Sequence, residues 1–216
     1  MSDPLGRLHE AGARLLAEVD ETLVRWGAPD HHPIWPLIRS IGLLPGDAVA
    51  AVEALSWEAF QQRADLMHSH HERAVGVGDL LAAPSGWEGP AAEAAGAKLD
   101  SAHAGVRVLA ANARVLAQVM GDLAEWGVQG RLRLARTLAK VLTSAQTVDL
   151  TMEDTEPVGR AQAAADIGAE VLAEVAGFWA GATDIAREGL ARLEAEPAHD
   201  VTAAASTSAH LAVEFK

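Results

Sequence analysis

The 216 residues of this chain include no cysteine and no tyrosine, and only three phenylalanines. Without cysteine there is neither a disulfide framework nor thiolate chemistry. A reducing cytosol fits that lack, as does export by a route that spares folded helices. Cations are also scarce: 17 Lys and Arg face 30 Asp and Glu, leaving a formal net charge of −13 and a pI near 5.0. Phosphate neutralisation needs clustered Lys and Arg, so no nucleic-acid partner is expected, and the same charge opposes adhesion to anionic lipid. No apolar run reaches the roughly 18 residues of a membrane span. The opening MSDPLGRLHEAGARLL lacks a basic region followed by an apolar block, so no cleavable signal peptide is expected.

What the chain does contain is alanine, in a composition that is 50% hydrophobic but only 4% aromatic. Alanine is the best helix former and lets helix backbones approach closely, whereas strand formers are few. The expected fold class is all-α. Leu5, Leu8, Gly12, Leu15, Val19, Leu23 and Trp26 recur at steps of three and four, which predicts a first helix from about Pro4 to Trp26. The Pro- and Gly-rich stretch 28–46 reads as a packed connector with a short helical turn near Trp35–Ile41. A second helix is predicted from Asp47 to about Ala83, with a possible change of face near Ser56. The third is the clearest: Ala95, Leu99, Ala102, Val106, Leu109, Ala113, Leu116, Met120 and Leu123 keep heptad spacing. It is expected to kink or pause at Gly127 and Gly130 and resume through Val148. After an acidic turn at Met152–Pro157, a fourth helix carries Ala161, Ala165, Gly168, Leu172, Val175, Trp179, Ala182, Ala186, Gly189 and Leu193. The expected architecture is an elongated antiparallel bundle of about four long helices. Its parts would be 1–46, a helix and connector; 47–150, a helical hairpin; 151–196, a closing helix; and 197–216, a disordered tail.

The connection between the second and third helices reads Pro84-Ser85-Gly86-Trp87-Glu88-Gly89-Pro90-Ala91-Ala92-Glu93-Ala94. Pro84 cannot continue a helix, Gly86 permits unusual backbone angles, and Pro90 suits a first helical turn. On physical grounds this is a helical hairpin with an aromatic plug. Trp-x-Gly followed by Ala-Ala-x-Ala between two Ala-rich helices also resembles the WXG-motif proteins of type VII (ESX) secretion, through Trp87, Gly89, Ala91, Ala92 and Ala94. The order of elements resembles the larger PPE-like and ESX-associated members, although the chain has no Pro-Pro-Glu near its N-terminus. That resemblance implies pairing with another helical hairpin, identical or related, and a Trp-x-Gly turn that forms half of a composite export signal. It also implies an actinobacterial-type secretion context without a cleavable signal peptide. The family's Tyr-x-x-x-Asp/Glu element is absent here, so a partner would have to supply it.

The run Met67-His68-Ser69-His70-His71-Glu72 is the best case for chemistry. On a helix, His68 lies one turn from His71 and Glu72, a spacing that can chelate zinc or a similar ion. Completing the site would need His103, or His31 and His32. The plainer alternative is a packed His71 with His68 and His70 facing water. No Gly-x-Ser-x-Gly elbow, phosphate loop, dinucleotide fingerprint or di-iron Glu-x-x-His pattern is present, so neither an enzyme nor a cofactor is expected. Arg131, Arg133, Arg136 and Lys140 form a mild basic cluster, read as a solvated stripe or as a dock for an acidic partner. The leading expectation is a non-enzymatic type VII secretion substrate or substrate partner. The alternatives are a cytosolic helical scaffold or adaptor and a metal-binding bundle.

Overall fold

The computed structural model describes residues 4–81, 86, 88–152 and 155–195. Among them are seven α-helices and no strand: α1 Pro4–Trp26, α2 Ile34–Ile41, α3 Pro45–Glu53, α4 Trp57–Leu80, α5 Pro90–Leu142, α6 Ala145–Thr151 and α7 Pro157–Ala195. The chain is all-α. Four of these helices are long, and three short ones were folded into connectors or longer helices by the sequence reading. The tail at 197–216 lies outside the described residues.

Two expected continuities are broken. The helix expected from Asp47 to Ala83 is two helices, α3 and α4. Arg131 supplies the reason: its guanidinium donates to the carbonyls of Glu53 and Leu55 at 2.9 and 3.2 Å, satisfying acceptors exposed where the ladder stops. The third helix, in turn, runs unbroken through Gly127 and Gly130 and ends at Leu142. The break falls at Thr143–Ser144, where the Ser144 hydroxyl accepts the Thr147 N–H at 3.3 Å and caps α6. The two glycines serve packing. A β-carbon on Gly127 would fall 2.5 Å or less from three ring atoms of Trp57, and one on Gly130 equally close to Phe178.

The residues group into two compact units. The first takes Met1–Trp57 and Leu123–Asp184, and it holds every large side chain that is fully buried, among them Leu5, Ile34, Val49, Leu138, Leu172 and Phe178. In it α1 runs antiparallel to α3, with His9 meeting Glu53 and Asp20 meeting Gly46. The C-terminal part of α5 likewise opposes α7: Trp126 donates to the Phe178 carbonyl at 3.1 Å, Arg133 to Glu174 at 3.1 Å and Lys140 to Glu170 at 2.6 Å. Trp57 meets Phe178 edge-on at 5.5 Å, and the Arg133 guanidinium lies 4.2 Å from the centre of the Trp126 ring. On α7, the periodicity assigned the seam position to Trp179, yet its neighbour Phe178 is the buried ring and Trp179 is 39% exposed.

The second unit takes Glu58–Asp122 and the described residues after Ile185. The α4 and α5 segments run antiparallel, since His71 meets Ala110 while Gly78 faces His103. Its buried residues are small or modest: Ala64, Gly78, Ala110, Val115, Val119 and Gly189. None of the nine heptad residues from Ala95 to Leu123 is fully buried, and Ala102 and Leu109 are exposed. The residues that pack on α7 lie on a neighbouring stripe, with Val119 against Gly189.

Candidate functional site

Trp87, on which the hairpin reading turns, lies outside the described residues. The backbone beside it is described. Gly86 and Gly89 have φ of +86° and +103°, angles that side chains other than glycine resist. The Gly89 carbonyl accepts the N–H groups of Ala92 and Glu93 at 2.9 and 3.1 Å and so opens α5. Ala91 and Ala94 are exposed and Ala92 is half-buried, so these alanines in the first turns of α5 are largely open to solvent.

From there an apolar stripe continues along α5 within the second unit. Successive residues at three and four steps lie on one side of a helix, and here they are Ala91, Ala95, Leu99, Ala102, Val106, Leu109, Ala113, Leu116 and Met120, with Val106 turned toward Gly78 of α4. Leu109 is 64% exposed, and the others are exposed or half-buried. On α4, Leu66, Val77 and Leu80 form a second exposed row with Arg73 and His70, and Leu80 is 83% exposed. This unit therefore leaves part of its apolar surface exposed, at Ala91, Ala102 and Leu109 of α5 and at Leu66, Val77 and Leu80 of α4.

The histidine run is less convergent. His68 Nε2 lies 3.5 Å from Glu72 Oε1, with both side chains exposed. His71 is half-buried and its Nδ1–H donates to the Ala110 carbonyl at 2.9 Å, tying α4 to α5. The His68 and His71 rings are 6.3 Å apart, and His103 sits beside Gly78 instead. His32 is engaged at both ring nitrogens, by Ile34 and Asp166, leaving no lone pair for a metal, and His31 is exposed with φ of +62°. Among the described residues no group of three or more His, Asp or Glu side chains could hold one ion. In the basic cluster, Arg131 holds carbonyls between α3 and α4, Arg133 and Lys140 are paired with glutamates of α7, and Arg136 is exposed, so two of the four charges are paired within their own unit.

Two polar arrangements in the first unit escaped the sequence reading. The Asp20 carboxylate accepts the Gly46 N–H at 3.1 Å, at the start of α3. Burial, joined by the charge of Asp47, outweighs that hydrogen bond and pushes its pKa up to about 6. The Pro45-Gly46 pair was the available signal, because a helix starting at proline leaves N–H groups that seek an acceptor. The second is an open cleft of about 670 Å³ lined by Arg7, His9, Glu10, Glu53 and Arg131, in which His9 pairs with Glu53. Its charges are mixed and select no ligand class.

No helix among the described residues is long and apolar enough to cross a membrane. No family model, curated protein or solved structure matches this chain.

Proposed function

We propose that this is a non-enzymatic binding protein that pairs its α4–α5 hairpin with a helical hairpin of another molecule, a second copy or a related chain. The supporting observation is the apolar surface that the hairpin leaves exposed, at Ala102 and Leu109 on α5 and at Leu66, Val77 and Leu80 on α4, with Leu109 64% exposed. A lone exposed leucine is ordinary, but a row of apolar residues at three and four steps is the form that helix pairing uses. The finer reading is that of the WXG-type hairpin. The four long helices act as an antiparallel support, and the Trp87–Gly89 turn acts as half of an export signal completed by the partner. The positive-φ glycines on either side of Trp87, followed by Pro90 at the helix start, agree with such a built turn. On this reading the chain is a type VII secretion substrate or a substrate's partner.

The test has two variants. Leu109→Glu places a charge on the stripe, and it is expected to abolish co-purification with the partner hairpin, or self-association in sedimentation, while helicity by circular dichroism is unchanged. Trp87→Ala is expected to keep helicity and lose export from a host with a working type VII system. Pairing that survives Leu109→Glu sinks the docking stripe, and export that survives Trp87→Ala sinks the signal.

A further inference from the structure

We propose that His32 is a proton-operated latch, which holds the first turn of α2 in place while its ring is neutral and releases it on protonation. The ring is buried, 8% exposed, in the connector between α1 and α2. Ile34 N–H donates to Nδ1 at 3.1 Å, and Nε2–H donates to Asp166 Oδ1 on α7 at 3.0 Å. One nitrogen accepts and the other donates, a pattern open only to neutral imidazole, because imidazolium has two donors and no acceptor. A proton taken from solvent onto Nδ1 occupies the lone pair that held Ile34. Two N–H groups then face each other, while the contact to Asp166 is kept. The ring stays on α7, and the backbone of α2 must leave it.

What moves is the plug behind that amide. Ile34 is fully buried, and it fills the space over Gly168, where a β-carbon would lie 2.8 Å from Ile34 Cδ1 and 3.0 Å from Pro45 Cγ. Upstream, His31 carries a positive φ of 62°, which a side chain resists. α7 supplies Asp166, whose Oδ1 also accepts from Gln162 at 3.0 Å. On α1 and α3, Asp20 and Asp47 lie at Gly46, and in the connector Asp30 and His31 are exposed. Asp20 titrates with the opposite consequence for the native state, so the two effects separate by variant.

The experiment is amide exchange of Ile34 in the full chain, read by heteronuclear NMR at about pH 7.5 and about pH 5.5 and corrected for intrinsic rates. Protection of Ile34 is expected to fall by about tenfold or more over that range, while Val171 in α7 keeps its protection. In His32→Asn the side-chain oxygen takes the place of Nδ1 as acceptor at every pH, so Ile34 stays protected. In Asp166→Asn the contact of Nδ1 with the Ile34 amide is untouched, so the fall persists. Equal protection of Ile34 in the wild type at both pH values overturns the proposal, as does an undiminished fall in His32→Asn. If His32→Asn does not fold, loss of the fall in Asp166→Asn overturns it, because the carboxylate and not the ring would then be the group that responds.

Discussion

Substituting Gly127 by alanine sets two known effects against each other at one site. In a helix interior the change alone favours the native state by about 1 kcal/mol, because glycine gains more freedom on unfolding. At Gly127 the new methyl would lie 2.5 Å or less from three atoms of the Trp57 ring, against the 3.4 Å of ordinary contact. The ring would have to retreat by about 1 Å into a packed neighbourhood. Trp57 is buried and stands edge-on to Phe178, which is itself pressed on Gly130. Overpacking of this kind costs about 2–3 kcal/mol, so a net loss of about 1–2 kcal/mol is expected, or about 3–6 °C in Tm for a chain of this size. Gly177 on α7 is the control: it is exposed, with nothing within 4 Å of the added carbon, and Gly177→Ala should stabilise by about 0.5–1 kcal/mol. Urea and thermal unfolding followed by far-ultraviolet circular dichroism measure both. A Gly127→Ala protein as stable as Gly177→Ala would refute the claim that this glycine exists to seat Trp57.

Three further outcomes follow from particular residues. The native state raises the Asp20 pKa from 3.8 to about 6, so its stabilising contribution is full below about pH 4 and lost as pH rises through about 6. Asp20→Asn should therefore be more stable than wild type at neutral pH by about 1–2 kcal/mol, after allowance for solvent screening, with the gap closing toward pH 4 in denaturant titrations. Leu138→Ala, deep in the first unit, should cost about 2–5 kcal/mol in the same assay, whereas Leu109→Ala should stay within about 0.5 kcal/mol of wild type. Excess EDTA should leave the melting curve unchanged; a drop would point to a bound metal, with His68, His71 and Glu72 the residues to mutate first.

Much of the helical outline was legible because periodicity and punctuation are local. The α1 stripe and its end at Trp26, the short α2 inside the Pro-rich connector, the Pro90 start of α5 and the span of α7 all follow from apolar spacing, proline and glycine. The α3–α4 break was only hinted at by a change of phase near Ser56. Its cause is Arg131, a residue 76 positions away from Leu55. For the candidate site, sequence pointed to the Gly89–Ala94 entrance and to a His68–Glu72 contact. His71 could be placed on the helix but not on its acceptor, the Ala110 carbonyl of a different helix.

By itself, then, the order of residues determined that this protein is helical, where α1 and α7 lie and where α5 starts, because helix propensity, capping and hydrophobic spacing act within a few residues. Only the tertiary structure decided which apolar stripe is buried. The heptad row on α5 is the more apolar of two candidates on a helical wheel, since the row containing Val115 and Val119 also passes through Ser101 and Asp122. Gly189 of α7 makes room for the second, and the first stays half-buried, with Ala102 and Leu109 exposed. The roles of Gly127 and Gly130, which read as helix breakers, were likewise settled by Trp57 and Phe178 arriving from other helices. A glycine's missing side chain means flexibility in isolation and space in a packed core.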